Sequence, residues 1–287
     1  MQKRNLLISL FFILFLFLFL KNGISVTQLT ATPEMLLESF QKEFEPVKPL
    51  MPPGIILQDG FVEGKGPAIG MVQGEQGQVY VVHQGSYIAY VLKKDYPLYM
   101  GDLIVTDEQS RIQVGLQDQS VFSLAAYGKL TIDKCLYTPQ EKDRSTRLSF
   151  FYGRARFIIS PLAGKDIHYE IKTPTALCKV HGSDFALAVT PNADAMTSFR
   201  PFSLGSLFSI SEAHAAIPAF LLTTLVTGQN TTVLFSGLEG GEQPVGPLSL
   251  CAAGSGAAIT PVHVGAKAEE TLNTVGPGLA SISMPPQ

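Results

Sequence analysis

Short segments in which apolar and polar residues alternate, separated by small polar turns, constrain the fold of this chain more than any other feature. The segment GQVYVVHQGSYIAYVL places two β-rich runs around a turn at 84–86, which is the pattern of a β-hairpin. Ile112, Val114 and Leu116 alternate in the same way further along the chain. Because no long helical periodicity interrupts 68–190, the sequence predicts an all-β fold, either a sandwich of short strands or a solenoid of stacked rungs.

One helix is predicted before the β region. Thr32 can cap a helix, Pro33 suits its first turn and Glu34 complements the helix dipole. Proline and glycine then indicate a linker, whereas a later Pro-interrupted apolar stretch breaks the β alternation. The predicted parts are a signal peptide or uncleaved anchor over 1–25, a helix and linker over 26–67, a β domain over 68–190, an irregular insertion over 191–229, closing strands of the same domain over 230–265, and a flexible tail over 266–287.

The N-terminus has the layout of an export signal. Lys3 and Arg4 precede an apolar run over 6–20, in which Ser9 is the one polar residue, and small residues follow it up to Ser25. As a helix this run would be about 22 Å long, short of the ~30 Å hydrocarbon core of a bilayer. The sequence predicts export to the periplasm or envelope of a bacterium. Cleavage after Ser25 and retention of 6–20 as a membrane tether are both open.

The composition permits a large folded core and gives no support to nucleic-acid binding. Of the 287 residues 46% are hydrophobic and 16% are charged, and the net charge of −3 comes without a basic block. The three cysteines, Cys135, Cys178 and Cys251, allow at most one disulfide. The sequence leaves the pairing open, together with the alternative that all three are small buried residues.

The order of several motifs in the middle of the chain resembles the FecR domain, a periplasmic module of iron-dicitrate type regulators. IGMVQGEQGQVYVV is similar to the opening strand of that family, and LSFFYGRARFIIS is similar to its Gly-x-Ala/Val-x-Phe strand. TPTALCKVHGSDFALAV resembles its Thr-Pro-x-Ala and Val-Arg-Gly-Thr-x-Phe signature, and TTVLFSGLEG resembles a closing strand. The resemblance extends roughly from Gly70 to Pro261 and implies an all-β FecR-type domain.

The family signature falls on a turn between two predicted strands. His181 stands where the family usually has arginine, Ser183 where it has threonine, and Gln119, in an earlier motif, where it has glycine. These departures leave the fold prediction intact but weaken the case for a partner contact through the turn. The signature residues, for which we predict a structural role, are Thr173, Pro174, Val180, His181, Gly182, Ser183 and Phe185.

The reactive residue types around this turn do not form a convergent site. Neighbouring strand residues alternate faces, so Cys178 and His181 point to opposite sides and cannot share a metal ion. His181, Ser183 and Asp184 lie too close along one turn to act as base, nucleophile and orienting acid. The sequence therefore predicts no catalytic residue, no metal ligand and no cofactor, and a protein that is not an enzyme.

A candidate partner surface is predicted at Arg154 and Arg156. Because the two residues are two apart, they share one face of a strand. That face would suit an anionic partner, such as a cell-wall polymer or an acidic protein surface.

The functional expectation combines the resemblance with the position of the apolar run. Too few residues precede 6–20 to hold a sigma factor, so we expect a free-standing, exported FecR-domain protein. Its predicted task is to bind or scaffold proteins of the cell envelope. Two alternatives stay open: a periplasmic signalling relay to a receptor or membrane regulator without direct sigma-factor binding, and a cell-wall polysaccharide binder.

Overall fold

The computed structural model describes residues 32–46, 50–140, 143–161, 167–191, 221–254 and 258–276. The predicted export signal and its apolar run lie outside these ranges. Among the helices of the described residues, none is long and apolar enough to cross a membrane. The predicted all-β fold is confirmed, because strands dominate the chain from residue 56 to residue 263.

Two helices flank the strands in the described part of the chain. Helix α1 spans Pro33–Gln41 and begins as predicted, with the Thr32 side chain accepting a hydrogen bond from the Met35 amide. Helix α2 spans Ala266–Val275. The strands are β1 Ile56–Gln58, β2 Gly70–Gln76, β3 Val79–Val82, β4 Ile88–Val91, β5 Pro97–Leu98, β6 Leu103–Thr106, β7 Arg111–Leu116, β8 Val121–Leu124, β9 Lys129–Thr138, β10 Asp143–Ile159, β11 Ile167–Lys172, β12 Ala176–Val180, β13 Ser183–Pro191, β14 Leu221–Thr227, β15 Val233–Gly237, β16 Gln243–Val245, β17 Ser249–Ala253 and β18 Val262–His263.

The strands form two sheets that share the long strand β10. The predicted hairpin is present, since β3 and β4 pair antiparallel. Most other pairs are antiparallel too, but β1 runs parallel to β4 and β11 runs parallel to β10. The order is β1-β4-β3-β6-β9-β10-β11-β12-β15-β16 in the first sheet and β5-β2-β7-β8-β10-β13-β14-β17-β18 in the second sheet.

Strand β10 passes from one sheet to the other at Gly153. Tyr152 is still paired with Lys129 of the first sheet, and Gly153 is already paired with Val189 of the second. The backbone of Gly153 has φ +94°, and a Cβ there would lie 2.8 Å from the Cα of Gly128. Only glycine combines this φ with such a close approach, which explains the glycine of the GRARF motif.

One apolar core fills the space between the two sheets. Val81 and Leu130 reach it from the first sheet, and Phe157 and Leu187 reach it from the second. The other face of the second sheet is also buried, because α1 and α2 pack against each other and against β10, β13 and β14. Residues on both faces of strands such as β13 are therefore buried, as expected for a sheet covered on both sides.

Three of the predicted segment boundaries are wrong. The predicted insertion over 191–229 ends in β14, a strand within the second sheet that pairs with β13 and β17. The predicted flexible tail over 266–287 begins with α2, and the predicted linker contains β1. Residues 192–220 and 277–287 lie outside the described residues. These elements have only three to ten residues, so their sequence periodicity does not distinguish them from loops.

A buried ion pair links the two sheets at one end of the core. Arg144 on the first-sheet half of β10 and Asp118 in the turn between β7 and β8 are both fully buried, with Arg144 Nε 3.3 Å from Asp118 Oδ2. The Asp118 carboxylate also accepts hydrogen bonds from the Thr146 hydroxyl at 2.8 Å and the Ser120 amide at 3.0 Å. Arg144 donates further to the carbonyls of Asp118 and Ser160. Among the described residues the buried Nε of Arg144 makes no hydrogen bond and is held by its ion pair with Asp118 alone. Removing one charge therefore leaves the other stranded in the core.

We predict that Asp118→Asn destabilises the protein by about 3–5 kcal/mol, because it leaves the buried Arg144 charge without its counter-ion. The measurement is the free energy of unfolding in urea. Arg147→Ala is the matched control, since this arginine pairs with Glu170 on the solvent side of the same strand and should cost less than about 1 kcal/mol. Adding Arg144→Met to Asp118→Asn should restore part of the loss, and equal losses for the Asp118 and Arg147 variants would contradict the prediction.

Candidate functional site: two arginines beneath the terminal helices

Arg154 and Arg156 lie on the second-sheet half of β10. Alternation along the strand directs Ala155 and Phe157 into the core between the sheets, where the Phe157 ring stacks on Phe185 at 5.4 Å. The two arginines therefore point to the opposite face, which the helices cover. Their side chains are buried and make ordered contacts with the two helical segments.

Arg154 holds the C-terminal end of α1. Its Nη1 donates to the Phe40 carbonyl at 2.8 Å, and its Nη2 pairs with Glu43 Oε1 at 3.1 Å. Burial lowers the pKa of Arg154, and the charge of Glu43 opposes this shift. Nearby, the hydroxyl of Tyr152 donates to the carbonyls of Phe44 and Glu45, each at 3.4 Å. The carbonyl oxygens at a helix C-terminus carry partial negative charge and need donors, which a guanidinium supplies.

Arg156 holds the C-terminal end of α2 in a similar way. It forms a two-pronged pair with Asp184 on the adjacent strand β13, at 2.8 Å from Nε to Oδ1 and 2.7 Å from Nη2 to Oδ2. Its Nη1 donates to the Gly276 carbonyl at 2.8 Å and to the Asn273 side chain at 3.2 Å. Two neighbouring residues of one strand thus attach the two helices to the sheet.

The prediction that Arg154 and Arg156 form an exposed partner surface is wrong. Only 8% of Arg154 and 5% of Arg156 is accessible to solvent, so a polymer or protein cannot reach them while the helices are in place. The two residues do share one face of the strand. The prediction failed because two helices cover that face. These helices lie more than a hundred residues away in the sequence, so the local pattern gives no sign of them.

The signature turn connects β12 of the first sheet with β13 of the second sheet. Val180 and Phe185 are buried in the core, and His181 is exposed at the turn. A Cβ on Gly182 would lie 2.9 Å from the Cα of Pro161, so glycine is required by close packing. Thr173 accepts a hydrogen bond from the Ala176 amide at 2.9 Å. Pro174 continues this tight turn, and Ser183, which is 8% accessible, begins β13.

The three cysteines are free thiols in the interior. Burial raises the pKa of Cys135 to about 11 and that of Cys251 to about 12, and it also raises the pKa of Cys178. A disulfide is absent from the described residues, which include all three cysteines.

Cys178 is buried and His181 is exposed, and the described part of the chain contains no group of three or more side chains suited to a metal ion.

Two sheets that share a bent strand, with helices attached by buried arginines, define a β-rich domain. The family model described as FecR protein matches residues 102–198, which confirms the FecR resemblance over that part of the predicted region. The matched region contains β10, both arginines and the signature turn. A search of curated proteins found no match.

Two solved structures are similar to part of this chain. Both are crystal structures of a putative anti-sigma factor from Parabacteroides distasonis ATCC 8503, at 2.50 Å and 1.65 Å resolution. Each is 14% identical to this chain, with TM-scores of 0.36 and 0.35, and each match covers 56% of this chain. The chain matches 59% of the length of each of these structures.

We predict that the native protein shows almost no thiol reactivity at pH 8, because burial and raised pKa values keep the cysteines protonated and inaccessible. The measurement is the rate of reaction with a disulfide reagent, before and after adding denaturant. Native protein should react at less than about one hundredth of the unfolded rate. Fast reaction of any one thiol in the folded state would contradict this placement.

We predict that Arg154→Ala and Arg156→Ala loosen different helices. Loss of charge-assisted hydrogen bonds, each worth about 1.5–3 kcal/mol, should speed amide exchange by about tenfold or more in α1 for the first variant and in α2 for the second. Hydrogen exchange followed by mass spectrometry measures both helices at once. Each variant serves as the control for the other, and equal loosening of both helices by either substitution would contradict separate attachment.

Proposed function

We propose that this chain is a non-enzymatic protein-binding module of the bacterial envelope that takes part in signal transduction. The FecR match over 102–198 supports a regulatory role related to signalling. The observation that carries the proposal further is the contact between Arg154, inside the matched region, and the end of α1. This contact connects the β domain, which would bind a partner, with helix α1, which follows the predicted export signal.

The contact gives a physical route for a signal. Helix α1 is short and its attachment depends on a few side chains, chiefly Leu36, Leu37 and Phe40 against the body and Arg154 at its end. An isolated helix of this length is not stable in water, so α1 is folded only while it is attached. A partner that binds the β domain more tightly in one state of α1 therefore shifts the equilibrium between attached and released helix.

The outer face of the first sheet is the partner surface under this proposal. Among the described residues, both helices pack on the second sheet and not on this face. Leu136 is 51% exposed and Phe151 is 41% exposed, and the Arg147 side chain lies between them in the strand register. Apolar side chains beside an arginine are the composition expected for a protein contact.

The proposal predicts that a photo-crosslinking residue at Leu136 captures an envelope protein in living cells, whereas the same residue at Met35, exposed on α1, does not. The measurement is mass spectrometry of the products from a C-terminally tagged chain. Capture of a receptor or a membrane regulator supports signalling. Recovery of wall polymer fragments would instead support the polysaccharide-binding alternative, and recovery of the chain alone would contradict a partner at this face.

A transcript profile separates signalling from scaffolding. Deletion of the gene should change the expression of a specific set of genes if the captured partner belongs to a relay. An unchanged profile, together with a captured envelope protein, would leave a scaffolding role and remove the signalling one. The mass of the tagged chain also shows whether residues 1–25 are cleaved or retained.

A further inference from the structure

Asp102 is a buried acid that lies beneath the segment connecting β1 with β2. Asp102 is fully buried, and its Oδ2 accepts a hydrogen bond from the Tyr99 amide at 2.8 Å. Its Oδ1 lies 2.7 Å from Nδ1 of His83, whose side chain is 11% exposed. The carboxylate is shielded from bulk water, so its protonation depends on the neighbouring groups.

The second ring nitrogen of His83 contacts the backbone of that leading segment. Nε2 lies 2.8 Å from the carbonyl oxygen of Val62. A carbonyl oxygen can only accept a hydrogen bond, and an ionised carboxylate can also only accept. A neutral imidazole has one N–H, so it cannot donate to both. Both contacts form together only when the pair holds one extra proton, either as an imidazolium beside a carboxylate or as a neutral imidazole beside a protonated Asp102.

Residues 61–64, here termed the strap, pack closely around this pair. The Phe61 ring lies 4.4 Å from the Tyr96 ring and 5.7 Å from the His83 ring. A Cβ on Gly64 would lie 2.6 Å from Tyr99 and 3.0 Å from Nδ1 of His83, so the backbone here passes directly against the pair. The Val62 side chain, by contrast, is 54% exposed and points away. One side of the strap therefore contacts His83 and its neighbours, and the other side faces solvent.

The groups that face the pair favour a retained proton. Burial raises the pKa of Asp102, although its hydrogen bonds to His83 and the Tyr99 amide oppose the shift. Tyr99 faces both Asp102 and Glu63 of the strap, and burial followed by these two carboxylates raises its pKa. Tyr90 also faces His83, with ring centroids 5.7 Å apart. The neighbours named here are thus acids or neutral rings, and the burial of Asp102 is what favours a proton on the pair.

We propose that a single shared proton between His83 and Asp102 closes the strap, and that the strap opens as the pH rises. Opening separates Val62 from Nε2, after which a neutral His83 can keep its one N–H directed at Asp102 and release the other proton to solvent. The closed state binds one proton more than the open state at high pH, so its stability is full at low pH and falls as pH rises. The strap is therefore expected to loosen as the pH rises.

The test is a nitroxide spin label attached to the thiol that Val62→Cys introduces, a substitution that leaves the backbone carbonyl contact in place. Label mobility is measured on the full chain between about pH 5 and pH 9. The ratio of mobile to immobile label should rise by up to about tenfold per pH unit above the neutral range. Tenfold is the largest change that the release of one proton can produce. A label introduced by Tyr87→Cys, a site 74% exposed just before β4, is the control and should show no such change.

Substitution of the acid separates this mechanism from general loosening. Asp102→Asn supplies an amide N–H to Nδ1 of a neutral His83, whose Nε2–H can still donate to Val62. This variant should therefore keep the strap closed at every pH, whereas His83→Phe should leave it mobile at every pH. A flat profile for the unsubstituted pair in folded protein would overturn the proposal. So would an Asp102→Asn variant that is folded by circular dichroism and responds to pH as the unsubstituted pair does.

Discussion

The passage of β10 from one sheet to the other at Gly153 is the constraint on which the rest of the structure depends. Before the bend, β10 lies between β9 and β11, and after it the strand lies between β8 and β13. The core between the sheets, the buried ion pair of Arg144 and the attachment of both helices all rely on this one strand. A side chain at position 153 would meet the backbone of Gly128, so the bend depends on a single glycine.

Buried charge is concentrated on the same strand. Arg144, Arg154 and Arg156 are all removed from water, and each lies beside a carboxylate: Asp118, Glu43 and Asp184, respectively. Buried ion pairs contribute little net stability, but they penalise any arrangement in which one partner is left alone. Their role here is to specify where segments distant in sequence must lie, which apolar packing alone would leave less well defined.

The sequence predicted the features that depend on local pattern. The β3–β4 hairpin follows from alternation around a Gly-containing turn, and the start of α1 follows from Thr32 and Pro33. The burial of Arg154 did not follow, because the carbonyl it contacts belongs to Phe40, 114 residues earlier. His83 was likewise missed: its partners are 19 and 21 residues away, and an alternating strand pattern gives no sign that they converge.

The attachment of both helices through neighbouring residues has a mechanical meaning. Tension applied to the chain before α1 or after α2 would reach the body through Arg154 or Arg156, which lie two residues apart on one central strand. Load entering from either direction therefore converges on the middle of a sheet, where strands on both sides share it, instead of peeling an edge strand. A domain connected in this way transmits a pull at its helical ends to the centre of a sheet.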